Sequence, residues 1–226
     1  MKVVVFSGGG ICRESGGSTF RGGAGPWKQF SHAELTTPAL FSVNPLRAWE
    51  LFQWRRGLMQ ATGPSSAHMA VANLGRGKML TIITQNVDSL HEQAGSTNVI
   101  KLNGDIWRMR CTQCHSEWID RRVPLPIMPP PCQCGAVARP AVVLAGEVAA
   151  PEVWKAADKA ARDCKVFLLV GAEAVIYPAA TLIPTARRWG ARIVEISPEE
   201  TGYSEQADAC LRGPAAEVLA DLLKKQ

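Results

Sequence analysis

The sequence predicts an α/β protein, a parallel sheet covered by helices on both faces, with a small metal-binding module inserted. Two observations carry this. Short, continuously apolar, β-branched runs recur at 3–6, 80–84, 99–102, 141–144, 166–170 and 192–196. Runs that do not alternate with polar residues belong to strands buried on both faces, as in a parallel sheet. Between several of them, residues 45–60, 66–74, 151–163, 178–189 and 214–224 have helical spacing. Residues 107–140 break the rhythm with four cysteines and the stretch PLPIMPPP.

The chain has 226 residues, 46% of them hydrophobic, enough to bury a sizeable core. The expected organisation is a main domain from 1–106 and 141–226. Residues 107–140 form the small module, and 22–64 a second, partly helical excursion. No apolar run reaches the roughly 18 residues of a membrane span. The opening MKVVVFSGGG is too short a run for a secretory leader and reads as a first buried strand. A cytoplasmic monomer without a membrane partner is the expectation. The net charge of +5 is spread along the chain. Without a basic stripe carrying aromatics, no direct nucleic-acid contact is expected. A mild positive field suits anionic ligands.

Taken in order, Gly8, Gly9 and Gly10 directly follow the first strand and precede a possible helix. Glycines there let backbone N–H groups approach a phosphate. A plain tight turn explains them equally well. The next stretch, GGSTFRGGAGPW, is a glycine-rich loop carrying Phe20 and Arg21. It either covers a ligand or is an ordinary surface loop. Gln85, Asn86 and Asp88 follow a buried strand, at the edge where open α/β sheets bind ligands. They would hydrogen-bond a ribose or merely cap a helix. His91 reads as structural. VIKLNGD, at 99–105, reads as a strand entering a turn at Asn103.

Cys111, Cys114, Cys132 and Cys134 form C-x2-C and C-x-C knuckles, and the total of seven cysteines argues against a disulfide framework. Four thiolates suit a structural Zn2+ with a closed, tetrahedral shell. His115 is the substitute ligand if the tighter second knuckle cannot close.

Taken together, these motifs resemble the sirtuins, the NAD-dependent protein-lysine deacylases. GGGICRESGGSTFRG is similar to the family's GAGIS-x-ESGIPTFRG loop, and TQNVDSLH to TQNxDxLH. ARPAVVLAGE is similar to RPxVVWFGE, and GAEAVIYPAA to GTSxxVxPAA. The four cysteines resemble the family's zinc module. TFRGGAG-PW and LFQWRR resemble the branch that removes succinyl and other acidic acyl groups.

The resemblance implies a Rossmann-type domain binding NAD, a small zinc domain, and an acylated-lysine protein or peptide as substrate. The acyl carbonyl attacks the nicotinamide ribose carbon and nicotinamide leaves. A histidine then serves as general base, and the acyl group ends on ADP-ribose. For NAD it implies Gly8, Gly9, Gly10, Ile11, Glu14, Ser15, Phe20 and Arg21 in the first loop. Gln85, Asn86, Val87 and Asp88 follow the second strand. Gly171, Ala172, Glu173, Ser197, Glu199 and Ala215 complete the cofactor set. For substrate it implies Phe52, Arg55, Val143, Gly146 and Glu147. In the acidic-acyl branch a Tyr-x-x-Arg pair holds the acyl carboxylate, and here the pair is Phe52-x-x-Arg55.

The catalytic set is Asn103, Asn86 and Asp88, and Asn103 is the main departure. It occupies the seat of the family's histidine, and an amide does not titrate near neutral pH. Losing a general base costs on the order of 10²–10⁴-fold. Leu144-Ala145 replace the family's Trp-Phe, loosening the substrate groove. Ala172-Glu173 replace Thr-Ser, adding a charge that Arg13 would offset. Three functions follow: a slowed deacylase, an NAD- or ADP-ribose-binding pseudoenzyme, or an NAD glycohydrolase.

Overall fold

The computed structural model describes residues 1–13, 37–77, 79–172 and 177–224. These fall into two compact units. One is drawn from Met1–Phe20, Gly63–Leu102 and Ala150–Gln226, the other from Arg21–Thr62 and Asn103–Ala149.

The first unit holds β1 (Lys2–Ser7), β2 (Met79–Thr84), β3 (Val99–Lys101), β7 (Val166–Val170), β8 (Arg192–Ile196) and β9 (Ala209–Leu211). They form one six-stranded sheet in the order β3-β2-β1-β7-β8-β9. Every neighbouring pair is parallel. Among the described residues the α-helices are α1 (Gly10–Arg13), α4 (Ser66–Leu74), α5 (Leu90–Gln93), α6 (Pro151–Asp163), α7 (Leu182–Arg188) and α8 (Ala215–Lys224).

The side-chain period of two explains the unbroken apolar runs. Val4 and Phe6 of β1 join Phe167, Leu169 and Ile193 on one face, against Ala157 and Ala161 of α6 and Leu182 and Ile183 of α7. Val3 and Val5 point the other way, joining Ile82, Leu168 and Ile196 against Val71 of α4 and Leu219 of α8. The central strands β1, β7 and β8 are therefore buried on both sides. Counted within this unit, the order is the doubly wound 3-2-1-4-5-6, reversing between β1 and β7, the point at which open α/β sheets bind their ligands.

The second unit has a three-stranded antiparallel sheet of β5 (Glu117–Ile119), β4 (Gly104–Cys111) and β6 (Ala138–Val142), with β4 central. Among the described residues two helices accompany it, α2 (Pro38–Val43) and α3 (Pro45–Ala61). Asn44 caps α3, its side chain accepting the Arg47 N–H at 3.1 Å, and Pro45 takes the first turn, where no amide is needed. Phe41, Trp49 and Phe52 make an aromatic core, with ring centroids 5.8–6.5 Å apart. The Trp49 indole N–H donates to the Ala138 carbonyl at 2.7 Å and ties α3 to β6.

Two expectations change here. The apolar run at 141–144 does not enter the parallel sheet. Its first residues end β6, antiparallel to β4. An apolar run does not reveal the direction of its partner. The close approach of Gly104 fixes it here: a Cβ on Gly104 would lie 2.1 Å from the Ala141 carbonyl oxygen. The later segment of this unit therefore spans Asn103–Ala149, wider than the 107–140 read from the sequence. The short edge strand β9 was also not foreseen.

Candidate functional site

The loops leaving β1 and β7 interlock. The Gly8 N–H donates to the Val170 carbonyl at 3.4 Å, and the Gly10 N–H to the Gly171 carbonyl at 2.9 Å. A Cβ on Gly10 would sit 2.7 Å from Gly171 Cα, and one on Gly171, at φ +56°, 2.4 Å from the Ile11 amide nitrogen. The glycines are thus required by loop-on-loop packing, whatever else the loop holds. Gly9 is exposed, and Ile11 is fully buried in the core. The following helix α1 is a single turn, so its dipole adds little.

A polar cluster sits beside this loop, at the carboxyl end of β2. The Gln85 N–H donates to the Ser7 carbonyl at 3.1 Å. The Asn86 side-chain amide donates to the Gly8 carbonyl at 3.1 Å and lies 3.3 Å from Cys12 Sγ. The Cys12 thiol donates to Asp88 Oδ2 at 3.6 Å, while Asp88 Oδ1 accepts the Leu90 N–H at 3.0 Å. Asp88 therefore holds the turn leading into α5 through one oxygen and belongs to the cluster through the other. Burial pushes its carboxyl above the ordinary value, and the Leu90 N–H and Lys101 oppose the shift. Burial, then the Asp88 charge, push the Cys12 thiol up, so it stays a protonated donor. Val87 is half-buried.

Beneath the cluster lies a group that sequence reasoning missed in part. Ser7 and Thr84, both buried, are joined Oγ to Oγ1 at 2.9 Å, and Ser7 Oγ lies 2.8 Å from His91 Nε2. His91, read as structural, is buried, and its ring centroid is 4.8 Å from that of His68. Ser7 and Thr84 carried one available signal, polar side chains at the ends of apolar runs, whereas Cys12 and His68 carried none.

Other cofactor candidates in this unit have quieter settings. Ala172 is packed into the core. Ser197 is buried, its hydroxyl accepting the Glu199 N–H at 3.4 Å in the turn after β8, and Glu199 is exposed. Ala215 opens α8 and is buried in the core. Glu14, Ser15, Phe20, Arg21 and Glu173 lie outside the described residues.

In the second unit the Asn103 carbonyl accepts the Val143 N–H at 2.9 Å, holding the Asn103 turn against the chain beyond β6. The 143–147 turn is self-clamped. The Leu144 N–H donates to Glu147 Oε2 at 2.9 Å, and Arg139 pairs with the same carboxylate at 2.9 Å. Gly146 has φ +88°, and Leu144 is buried. Phe52 is 1% exposed inside the aromatic core, and Arg55 is half-buried one helical turn along. The adjacent Arg56 is fully buried, its guanidinium 5.0 Å above the Trp107 ring.

The four sulfurs of Cys111, Cys114, Cys132 and Cys134 lie within 4.8 Å of one another. Cys111–Cys134 is 3.5 Å and Cys114–Cys132 is 3.7 Å. A tetrahedral zinc with bonds of ~2.3 Å spaces its sulfurs by roughly 3.8 Å, so the donors fit. The N–H groups of Gln113 and Cys114 each lie 3.4 Å from Cys111 Sγ, the usual support of a thiolate knuckle. Gly135, at φ +88°, lets the shorter second knuckle close, and the ligand cluster does not include His115.

With this geometry in place, the chain was compared with known proteins. A model of the Sir2 family matches residues 8–178. NAD-dependent protein deacylase 2 of Pyrobaculum aerophilum is 42% identical over 224 residues, covering 98% of this chain and 90% of the relative. The NAD-dependent protein deacylase of Mycobacterium tuberculosis is 37% identical over 231 residues, covering 100% and 98%. Among solved structures, a Sir2 homolog–NAD complex superposes with a TM-score of 0.93 at 38% identity, over 99% of this chain and 88% of that one. A mutant Sir2 homologue bound to ADP-ribose gives 0.91 at 39%, over 99% and 90%.

Proposed function

The chain belongs to the Sir2 family, and from that premise we propose that it is an NAD-dependent deacylase acting on acylated lysine in proteins or peptides. The observation that carries the reading is the cluster of Gly8, Asn86 and Asp88 at the sheet's reversal point. The deacylase names of its relatives support it.

NAD would be held by the backbone of Gly8–Gly10, by Gln85–Asp88, and by the loops at Gly171 and Ser197. When bound, it supplies an electrophilic ribose carbon with nicotinamide as the leaving group. Asn86, fixed through the Gly8 carbonyl, orients a hydroxyl or a water. Asp88 accepts a further hydrogen bond through Oδ2, the oxygen that also faces the Cys12 thiol. Cys111, Cys114, Cys132 and Cys134 would hold Zn2+ in a closed shell, so the metal stabilises and takes no part in the chemistry.

Turnover is slow in this reading, because Asn103 stands where the family's base belongs and an amide takes no proton. Arg55 biases the reaction toward acidic acyl groups, since a guanidinium holds a carboxylate through two parallel bonds. Phe52 supplies no hydroxyl to that pair. A second reading is favoured by Asn103 alone: binding of NAD or ADP-ribose with no acyl transfer, or with hydrolysis instead.

The test is incubation with NAD and a panel of acetyl- and succinyl-lysine peptides, with acyl-ADP-ribose and free ADP-ribose measured separately. Acyl-ADP-ribose, greater from the succinyl peptide, is expected. ADP-ribose alone replaces the reading with a glycohydrolase, and binding without product with a pseudoenzyme.

A further inference from the structure

His68 on α4 and His91 on α5 are 0% and 1% exposed, and their rings meet edge to face at 4.8 Å. Each leaves one nitrogen without a hydrogen-bond partner, Nε2 of His68 and Nδ1 of His91. Two orphaned polar atoms at one ring contact call for a common explanation.

The proton positions can be worked out from the neighbours. The Ser65 N–H donates to His68 Nδ1 at 3.2 Å, and the Ser65 hydroxyl, 2.7 Å from the same nitrogen, turns its proton there too, so Nδ1 carries the lone pair and Nε2 the hydrogen. On the other side, Thr84 Oγ1 accepts the Asn86 N–H at 3.1 Å and faces the Ser7 carbonyl at 3.5 Å, a group that can only accept. The Thr84 proton therefore points to that carbonyl, and the Ser7 hydroxyl donates to Thr84 at 2.9 Å. Ser7 Oγ then needs a donor from His91 Nε2, 2.8 Å away. That leaves the lone pair of His91 on Nδ1, a buried acceptor beside the buried His68 Nε2–H donor.

We infer that His68 and His91 are linked Nε2–H to Nδ1 through one buried water, and that His91 is thereby a positioning residue for Asn86. The chain of donors runs one way: Ser65, His68, His91, Ser7, Thr84. At its far end Thr84 accepts the Asn86 N–H, and at its near end Ser65 Oγ, its proton shared with His68 Nδ1, stands 3.1 Å from the Ile11 carbonyl oxygen. It thus spans from the glycine loop to the residue that faces it. Its importance to chemistry rests on the assignment of Asn86 to the ligand site, but its existence does not. Burial keeps both rings neutral, lowering His68 to about 4 and His91 to about 3, which a single fixed proton on each ring requires.

The test uses the whole zinc-loaded protein, labelled with 15N at histidine, at neutral pH. Both residues are expected as neutral Nε2–H tautomers, with Nδ1 in the unprotonated range. An Nδ1–H tautomer at His91, or a charged ring at either position, overturns the link. Amide exchange of Asn86 then tests the positioning. His91→Leu should lower Asn86 protection by at least tenfold, and His91→Gln, which restores an N–H to Ser7, should recover part of it. Unchanged protection in a folded His91→Leu overturns the positioning role. If that variant does not fold, the tautomers of the unaltered protein decide. Failure of NAD to bind would sink the deacylase reading and leave these results standing.

Discussion

Asn103 concentrates the question of rate. Its turn is fixed by the Val143 N–H and by Gly104, which tolerates no side chain. Exchange of the side chain should therefore leave the backbone in place. Asn103→His is expected to raise acyl transfer by on the order of 10²-fold. Only the neutral imidazole is a base, so the gain should fade as pH drops through ~6.5. A pH–rate profile of both proteins checks this, and no gain in a folded, NAD-binding variant would favour the binding-only reading. The buried histidines give a second prediction. Their values in the folded chain, about 4 and about 3, lie below the ordinary 6.5. Between those limits the unfolded chain binds more protons, so stability falls as pH drops below 6.5. His68→Gln keeps a capping-box acceptor toward Ser65 and removes one titrating ring. Urea midpoints at pH 7, 5.5 and 4.5 should decline less steeply in that variant. Parallel slopes would show that His68 contributes no acid lability.

Among the elements, the interlocked loops and the cysteine knuckles make separable predictions. Gly171→Ala places a Cβ 2.4 Å from a backbone nitrogen at a positive φ, so the loop after β7 must move. NAD affinity should fall by tenfold or more while the zinc content stays the same. Calorimetry with metal analysis reads both, and unchanged affinity would mean the glycines serve packing alone. Chelation of zinc should act on the other unit. Amide exchange is expected to rise across β4–β6 and α3 before it rises in β1 or β7, because a closed cysteine shell contributes folding energy where its knuckles are. Simultaneous exchange everywhere would show that the metal supports the whole fold.

These elements also show what could be read in advance. Strands β1, β2, β7 and β8 were legible because burial on both faces leaves an unbroken apolar run. The knuckles were legible because ligand spacing is local. The direction of β6 was not, since it depends on a carbonyl meeting Gly104 from far along the chain. Nor was the Cys12 bridge between Asn86 and Asp88, because three residues from two loops meet only once the sheet has formed.

At the scale of the whole molecule, the order in which the chain is made has a bearing on β1. This strand lies between β2 and β7, register-paired with Met79–Thr84 on one side and Val166–Val170 on the other. It is made well before its second neighbour, with residues 8–165 between them in the chain. At roughly 5–20 residues per second, it waits on the order of ten seconds for that partner. Meanwhile Val3, Val4, Val5 and Phe6 form a flat apolar edge open to any other strand. A chain ending at Lys165 should accordingly be recovered mostly in the insoluble fraction, whereas one ending after β8 should stay largely in solution. Equal solubility of the two, judged by sedimentation after matched expression, would show that β1 is shielded before β7 arrives. The central place of the first strand thus makes nascent-chain protection a requirement of this topology during synthesis.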